Sequence, residues 1–211
     1  FDTAGLEYRF NERLSAQYQV AKLENIYRQH FLGLVASQPL SVGRLSADLR
    51  LIKSDDIGRA RAGDIDHRAF SAMLGYSLGG HKLSAGWQRM YGENAMPYLD
   101  GSNPYLVNYA QVNDFAAAQE RSWQVRYDYD FKAVGLEGLS FLTRYIRGDH
   151  VKVPGSPAQG KEWERDSELK YQVQSGPFKD VSVRLRHSTY RRNYENFARD
   201  LDETRVIVSD H

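Results

Sequence analysis

The sequence holds 211 residues with no cysteine, 28 Lys+Arg against 27 Asp+Glu, 41% hydrophobic residues and 26% charged ones. The missing cysteines exclude a disulfide framework, a thiolate nucleophile and a sulfur-ligated metal, and the charge balance gives no electrostatic reason to expect a nucleic-acid partner. The longest apolar run, Phe31 to Ala36, is far short of the roughly 20 residues that a membrane-crossing helix needs, which leaves strands as the only route across a bilayer.

The chain opens at Phe1-Asp2-Thr3, without an initiator methionine or a signal peptide. The N-terminus is therefore expected to be processed, or the sequence to be a piece of something longer. Along the chain the dominant signal has period two. Segment 4–10 is a less regular candidate, and Leu14, Ala16, Tyr18 and Val20 then alternate with Ser15, Gln17 and Gln19. A second irregular stretch covers 27–36, followed by Leu45, Ala47, Leu49 and Leu51 around Ser46, Asp48 and Arg50. Phe70 to Leu78 repeats the pattern, 82–90 continues it, and Trp123, Val125, Tyr127, Tyr129 and Phe131 show it most clearly around Gln124, Arg126, Asp128 and Asp130. Segment 139–147, then Leu169, Tyr171 and Val173, then Val181, Val183 and Leu185, and finally Thr204, Val206 and Val208 complete the set. Such alternation specifies strands with one apolar and one polar face. Eleven strands and no helix are predicted.

The connections are predicted to run short and long in turn, with long ones at 53–66, 91–120, 148–162 and 190–202, and Gly79-Gly80 and Ser175-Gly176-Pro177 among the tight ones. In an up-and-down meander this puts turns at one end and loops at the other, which is the layout of an outer-membrane barrel. A soluble antiparallel sandwich is the alternative. The meander and the charged character of the polar face (Asp48, Arg50, Arg126, Asp128, Lys170, Arg184, Arg186) favour a water-filled lumen. Aromatics at strand ends, Tyr8 with Phe10, Tyr129 with Phe131, and Phe141 with Tyr145, are predicted to form interfacial girdles.

Several stretches, in order, resemble one family. They are Asn25 to Val35, the loop Asp100-Gly-Ser-Asn-Pro-Tyr-Leu-Val-Asn108, Ser122 to Phe131, Thr143 to Asp149, and Val183 to Arg191. They are similar to the OprD family of outer-membrane porins, or outer-membrane carboxylate channels, and correspond to its C-terminal part. The resemblance implies an all-β, transmembrane antiparallel barrel of roughly eighteen strands with short periplasmic turns and long extracellular loops. Residues 1–211 are then a single barrel domain lacking about seven N-terminal strands, because an open eleven-stranded sheet would leave unpaired edges in lipid. The ending Ser209-Asp210-His211 departs from the aromatic-containing ending of that family.

The implied function is passive, selective uptake of small carboxylate-bearing nutrients across the outer membrane, with aromatic or other monocarboxylates favoured. A porin selective for basic amino acids is the alternative within the family, and a soluble β-sheet binding module the alternative outside it. Arg126, Lys170, Arg184, Arg186 and Arg205 share the predicted lumen face and Arg144 is placed with them, which matches the family's basic ladder. Guanidinium groups stay charged and present a planar fork to a carboxylate. The opposing reading pairs these arginines with Asp128, Asp130, Glu168 and Glu203. The resemblance also implies that the 91–120 loop folds inward, with Ser102, Asn103, Tyr105 and Asn108 as donors toward a substrate carboxylate and Asp114 facing a positive group; plain turn chemistry explains the same residues. The six histidines show no ligand spacing, so no metal, and no other cofactor, is expected. No hydrolase elbow is present around Gly101-Ser102-Asn103, so no enzyme is expected. Expected partners are small carboxylates, outer-membrane lipid and lipopolysaccharide, with either a monomer or a loose homotrimer compatible.

Overall fold

A computed structural model describes residues 1–99, 101–194 and 200–209. Asp100 of the loop motif, and Asp210 and His211 of the C-terminal ending, lie outside the described residues. Eleven antiparallel strands form one sheet in chain order: β1 (Asp2–Asn11), β2 (Leu14–Leu23), β3 (Tyr27–Pro39), β4 (Arg44–Asp56), β5 (Asp66–Leu78), β6 (His81–Tyr91), β7 (Arg121–Asp130), β8 (Leu139–Lys152), β9 (Gln159–Gln172), β10 (Ser182–Arg192) and β11 (Leu201–Ser209). A short 3₁₀ turn, Phe131–Val134, follows β7 and is capped by the Asp130 side chain.

The faces are inside out relative to a soluble sandwich. The face bearing Leu51, Leu74, Leu83, Val125 and Leu185 leaves each of those side chains about half exposed. The opposite face buries Ser54, Ser71, Gln88, Ser122, Gln124, Glu164 and Asp166 almost completely. Water would not tolerate an apolar surface of that extent, whereas hydrocarbon does, and buried polar groups are stable only when hydrogen-bonded. This pattern separates the barrel wall from the sandwich. It also produces two aromatic rows on the outward face. Tyr8 with Phe10, and Tyr129 with both His81 and Phe131, lie toward the tight turns. Phe70 with Trp87, and Trp123, Tyr145 and Trp163, lie toward the loop end. Phe141 faces Tyr129 in the first row, so Tyr145 belongs to the second.

The strands run further than the alternation marks. β4 continues to Asp56 and β8 to Lys152, and β9 begins at Gln159, so the connections expected at 53–66 and 148–162 shrink to 57–65 and 153–158. The 24–26 connection at the same end is a tight turn. One connection remains very long, 92–120, and it turns back across the inner face. Met96, Leu106 and Ala116 from it pack on Phe31, Ile52, Ala69 and Met90 of β3 to β6, while Ala110 and Phe115 pack on Ile146 of β8.

Candidate functional site

The inner face and the inward loop together make the candidate site. Two glycines leave the wall bare where the loop lands. A Cβ on Gly86 would come 2.8 Å from the Gln124 side chain and 3.2 Å from Asn108 Oδ1, and one on Gly148 would collide with Glu120 Oε1. A side chain at Gly86 would push aside Gln124, which holds Val107 and Asn108 of the loop, and one at Gly148 would force the Glu120 carboxylate to move.

Polar anchors tie the loop to strands on both sides. Gln29 Nε2 donates to Pro97 O at 2.9 Å, Gln88 Nε2 to Phe115 O at 2.8 Å, and Gln124 Nε2 to Val107 O at 2.6 Å. Across the lumen, the buried Glu164 carboxylate of β9 accepts the backbone N–H groups of Gln111, Val112 and Asn113, each at 2.9 Å. Glu162 accepts Asn113 Nδ2 and the Tyr190 and Tyr194 hydroxyls, each at 2.5 Å. The loop therefore spans the inner surface from β3 to β10.

All six predicted basic residues lie on that inner face, and the structure divides them. Arg126 pairs with Asp128 at 2.6 Å, Arg205 with Glu203 at 2.6 Å, and Arg186 with Glu168. Arg144 pairs with Asp166 at 2.7 Å in a setting where the two side chains are 11% and 3% exposed, and it also donates to Tyr109 O at 3.0 Å. Arg186 reaches the loop as well, through Gln111. Asp130 joins none of these pairs, because its carboxylate caps the 3₁₀ turn. Lys170 and Arg184 stand directly opposite each other on β9 and β10. Neither forms an ion pair among the described residues, and Arg184 Nε is buried without an acceptor. Like charges so opposed cost about 0.2–1 kcal/mol.

The loop residues serve its own shape more than the sequence suggests. Asn108 is redirected outright: it is fully buried, its Nδ2 donates to Ser122 Oγ at 2.7 Å and its Oδ1 accepts Gln124 Nε2 at 2.8 Å. Burial puts that amide out of a solute's reach. Ser102 Oγ donates to Leu99 O at 2.6 Å and Asn103 Oδ1 accepts Tyr105 N at 2.8 Å, which is turn chemistry at exposed positions. Tyr105, with φ of 57°, packs its ring 4.9 Å from that of Phe31. Asp114 accepts the Tyr98 hydroxyl. The anchors Gln88, Gln124, Glu162 and Glu164 were not singled out from the sequence. The one available signal was the i, i+2 acidic series Glu162, Glu164, Asp166, Glu168 along one face of a strand.

Glu120 closes the loop. Its Oε2 accepts Ala117 N at 3.1 Å. Burial holds its carboxyl well above the ordinary carboxylate range, with Glu162 pushing the same way and the Ala117 N–H opposing. A raised folded-state pKa contributes stability that is fully present below the unfolded value of about 4.3 and is lost as pH rises through the folded value. Hydrogen exchange in segment 110–120, corrected for intrinsic rates, is expected to quicken with rising pH in the native protein and to lose that dependence in Glu120→Gln. Equal pH dependence in both proteins would remove Glu120 from the loop's closure.

Comparison with known proteins agrees with this architecture. The family model described as outer membrane porin, OprD family, matches residues 1–210. Porin D of Pseudomonas aeruginosa is 34% identical over 98% of this chain and 52% of its own length. Porin-like protein GalP of Pseudomonas putida is 39% identical over 99% of this chain and 50% of its own. The chain thus spans about half the length of the curated relatives it matches. The crystal structure of P. aeruginosa OccK10 (OpdN) superposes with a TM-score of 0.93 at 59% identity, covering 99% of this chain and 58% of that one. For OccK5 (OpdH) of the same organism the values are 0.91, 51%, 98% and 56%.

Proposed function

The chain belongs to the OprD family of outer membrane porins, and from that premise we propose that it forms part of a passive channel for small carboxylate-bearing solutes. The path runs past the inward loop and along the inner face of β9 to β11, where Lys170 and Arg184 stand. The observation that carries this reading is the Lys170–Arg184 pair, two adjacent inward cations with no acid partner among the described residues. Around them Arg126, Arg186 and Arg205 remain partly exposed but are neutralised by Asp128, Glu168 and Glu203. An anion entering this array meets net positive charge at one level and balanced charge at the neighbouring ones. It can bind modestly there and leave, as conduction requires.

A basic amino-acid substrate would instead need uncommitted acids. Asp48, Asp128, Asp166, Glu168 and Glu203 are all held by arginines, and Glu162 and Glu164 are occupied by the loop. Asp114, which accepts the Tyr98 hydroxyl, is the loop acid such a substrate would have to use, and against it the two opposed cations make carboxylates the better fit. Planar-bilayer recordings of the full-length protein test the assignment. Benzoate-like acids are expected to reduce the chloride current at concentrations where arginine leaves it unchanged. The reverse order would support the basic amino-acid reading.

A further inference from the structure

The outward face carries a second basic cluster that conduction does not use. At its loop end, above the aromatic row, Lys53 of β4 faces Arg68 of β5, and Arg89 of β6 faces Arg121 of β7. Like charges directly opposed across a sheet repel, and only part of this repulsion is relieved within the chain. Lys53 has Asp55 at 3.1 Å and Arg68 has Asp66 at 3.9 Å. Arg89 lies over the Tyr91 ring at 4.7 Å while its Nε is buried without an acceptor. Arg121 forms no ion pair among the described residues, and Asp149, opposite it on β8, is taken by His150.

Two grooves flank Arg89. One, of about 660 Å³, has Leu32, Leu51 and Phe70 below Lys53 and Arg68, with Tyr91 beside Arg68 and Asp66 on the same rim. The other, of about 280 Å³, gathers Arg89, Arg121, Gln119, His150 and Gln159, all of them side chains able to donate to an anion. A phosphate site beside an acyl-sized trough, at the depth where hydrocarbon gives way to headgroups, has the chemistry of an anionic lipid seat. Because the long loop marks the outer side, the lipid there is that of the outer leaflet. The geometry points to a structural lipopolysaccharide site on β4 to β7, with a lipid phosphate between Arg89 and Arg121 and an acyl chain along Leu51 and Phe70.

This inference rests on the outward face lying in lipid and is independent of what the pore carries. Purified full-length protein in detergent would be titrated with lipopolysaccharide, its dephosphorylated form and phosphatidylglycerol, with binding read by native mass spectrometry. Saturable binding of intact lipopolysaccharide is expected. It should weaken about tenfold on dephosphorylation and at least as much in Arg89→Gln/Arg121→Gln, since each charged hydrogen bond lost is worth roughly that factor. Arg89→Lys/Arg121→Lys should retain most of it, and heat-modifiable migration on gels checks that every variant is folded. Equal affinity for the dephosphorylated form, or for the Gln variant, overturns the site; equal affinity for phosphatidylglycerol overturns the choice of lipid. Carboxylate block recorded on the same samples should be unaffected by the Gln substitutions, so loss of block in the native protein alone would sink the pore reading and leave this one standing.

Discussion

Glu164→Ala is expected to widen the channel and to make its current noisy, while lowering the stability of the folded barrel by about 3 kcal/mol. The reason lies in what that carboxylate holds. It accepts three consecutive backbone N–H groups, those of Gln111, Val112 and Asn113, in a fully buried setting. Each donor left buried and unsatisfied costs about 1–3 kcal/mol, so the segment would sooner move into the aqueous lumen than stay seated. The rest of the loop should hold, because Gln88 and Gln124 still bind Phe115 and Val107. The aperture would therefore change through local release of 111–113. Glu164→Gln should fall between the two, since its amide oxygen can still serve Gln111 and Val112 while its NH₂ meets the Asn113 N–H as donor to donor. Single-channel recording of the full-length protein checks this; native conductance and noise in Glu164→Ala would show that the carboxylate does not set the aperture.

How much of this could be read from the residues follows from which interactions are local. Period-two alternation is imposed by the pleat itself, so Trp123 to Phe131 declares both its strand and its faces. The strand ends are hidden because outward positions near the headgroups turn charged. Lys53 and Asp55 in β4, or Arg165 in β9, break the apolar series while the backbone pairing continues. The lumen side of the arginines was legible from the same parity. Their division was not. Arg126 meets Asp128 two residues away on its own strand, a pairing visible in the sequence, whereas Arg144 finds Asp166 only through the β8–β9 register and Tyr109 only through the fold of the loop. The loop anchors are less local still, since Glu164 serves backbone groups more than fifty residues earlier. A buried carboxylate satisfied by remote N–H donors has the same sequence signature as any lumen acid, which is why Asn108 looked like a substrate ligand and Glu164 looked like nothing.

That division sets up the second large effect. Lys170→Ala/Arg184→Ala should abolish most carboxylate block and shift the reversal potential toward cations, because it removes two directly opposed inner-face cations that have no acid partner among the described residues. A cation about 4 Å from a carboxylate in a water-filled lumen is worth about 1 kcal/mol, so losing both should weaken block on the order of thirtyfold. The informative control removes as much charge-bearing surface without changing net charge. Arg126→Ala/Asp128→Ala deletes an ion pair of the same wall, and its block and reversal potential should stay close to native. Removing Arg126 alone takes one positive charge from the wall but leaves Asp128 with Lys82 directly opposite it on β6, so block should weaken less than in Lys170→Ala/Arg184→Ala. Raising ionic strength should shrink every one of these differences, because the Debye length falls to about 3 Å at 1 M salt. If the neutral deletion at Arg126 and Asp128 weakens block as much as the loss of Lys170 and Arg184, selectivity belongs to the number of arginines along the wall and not to the Lys170–Arg184 pair.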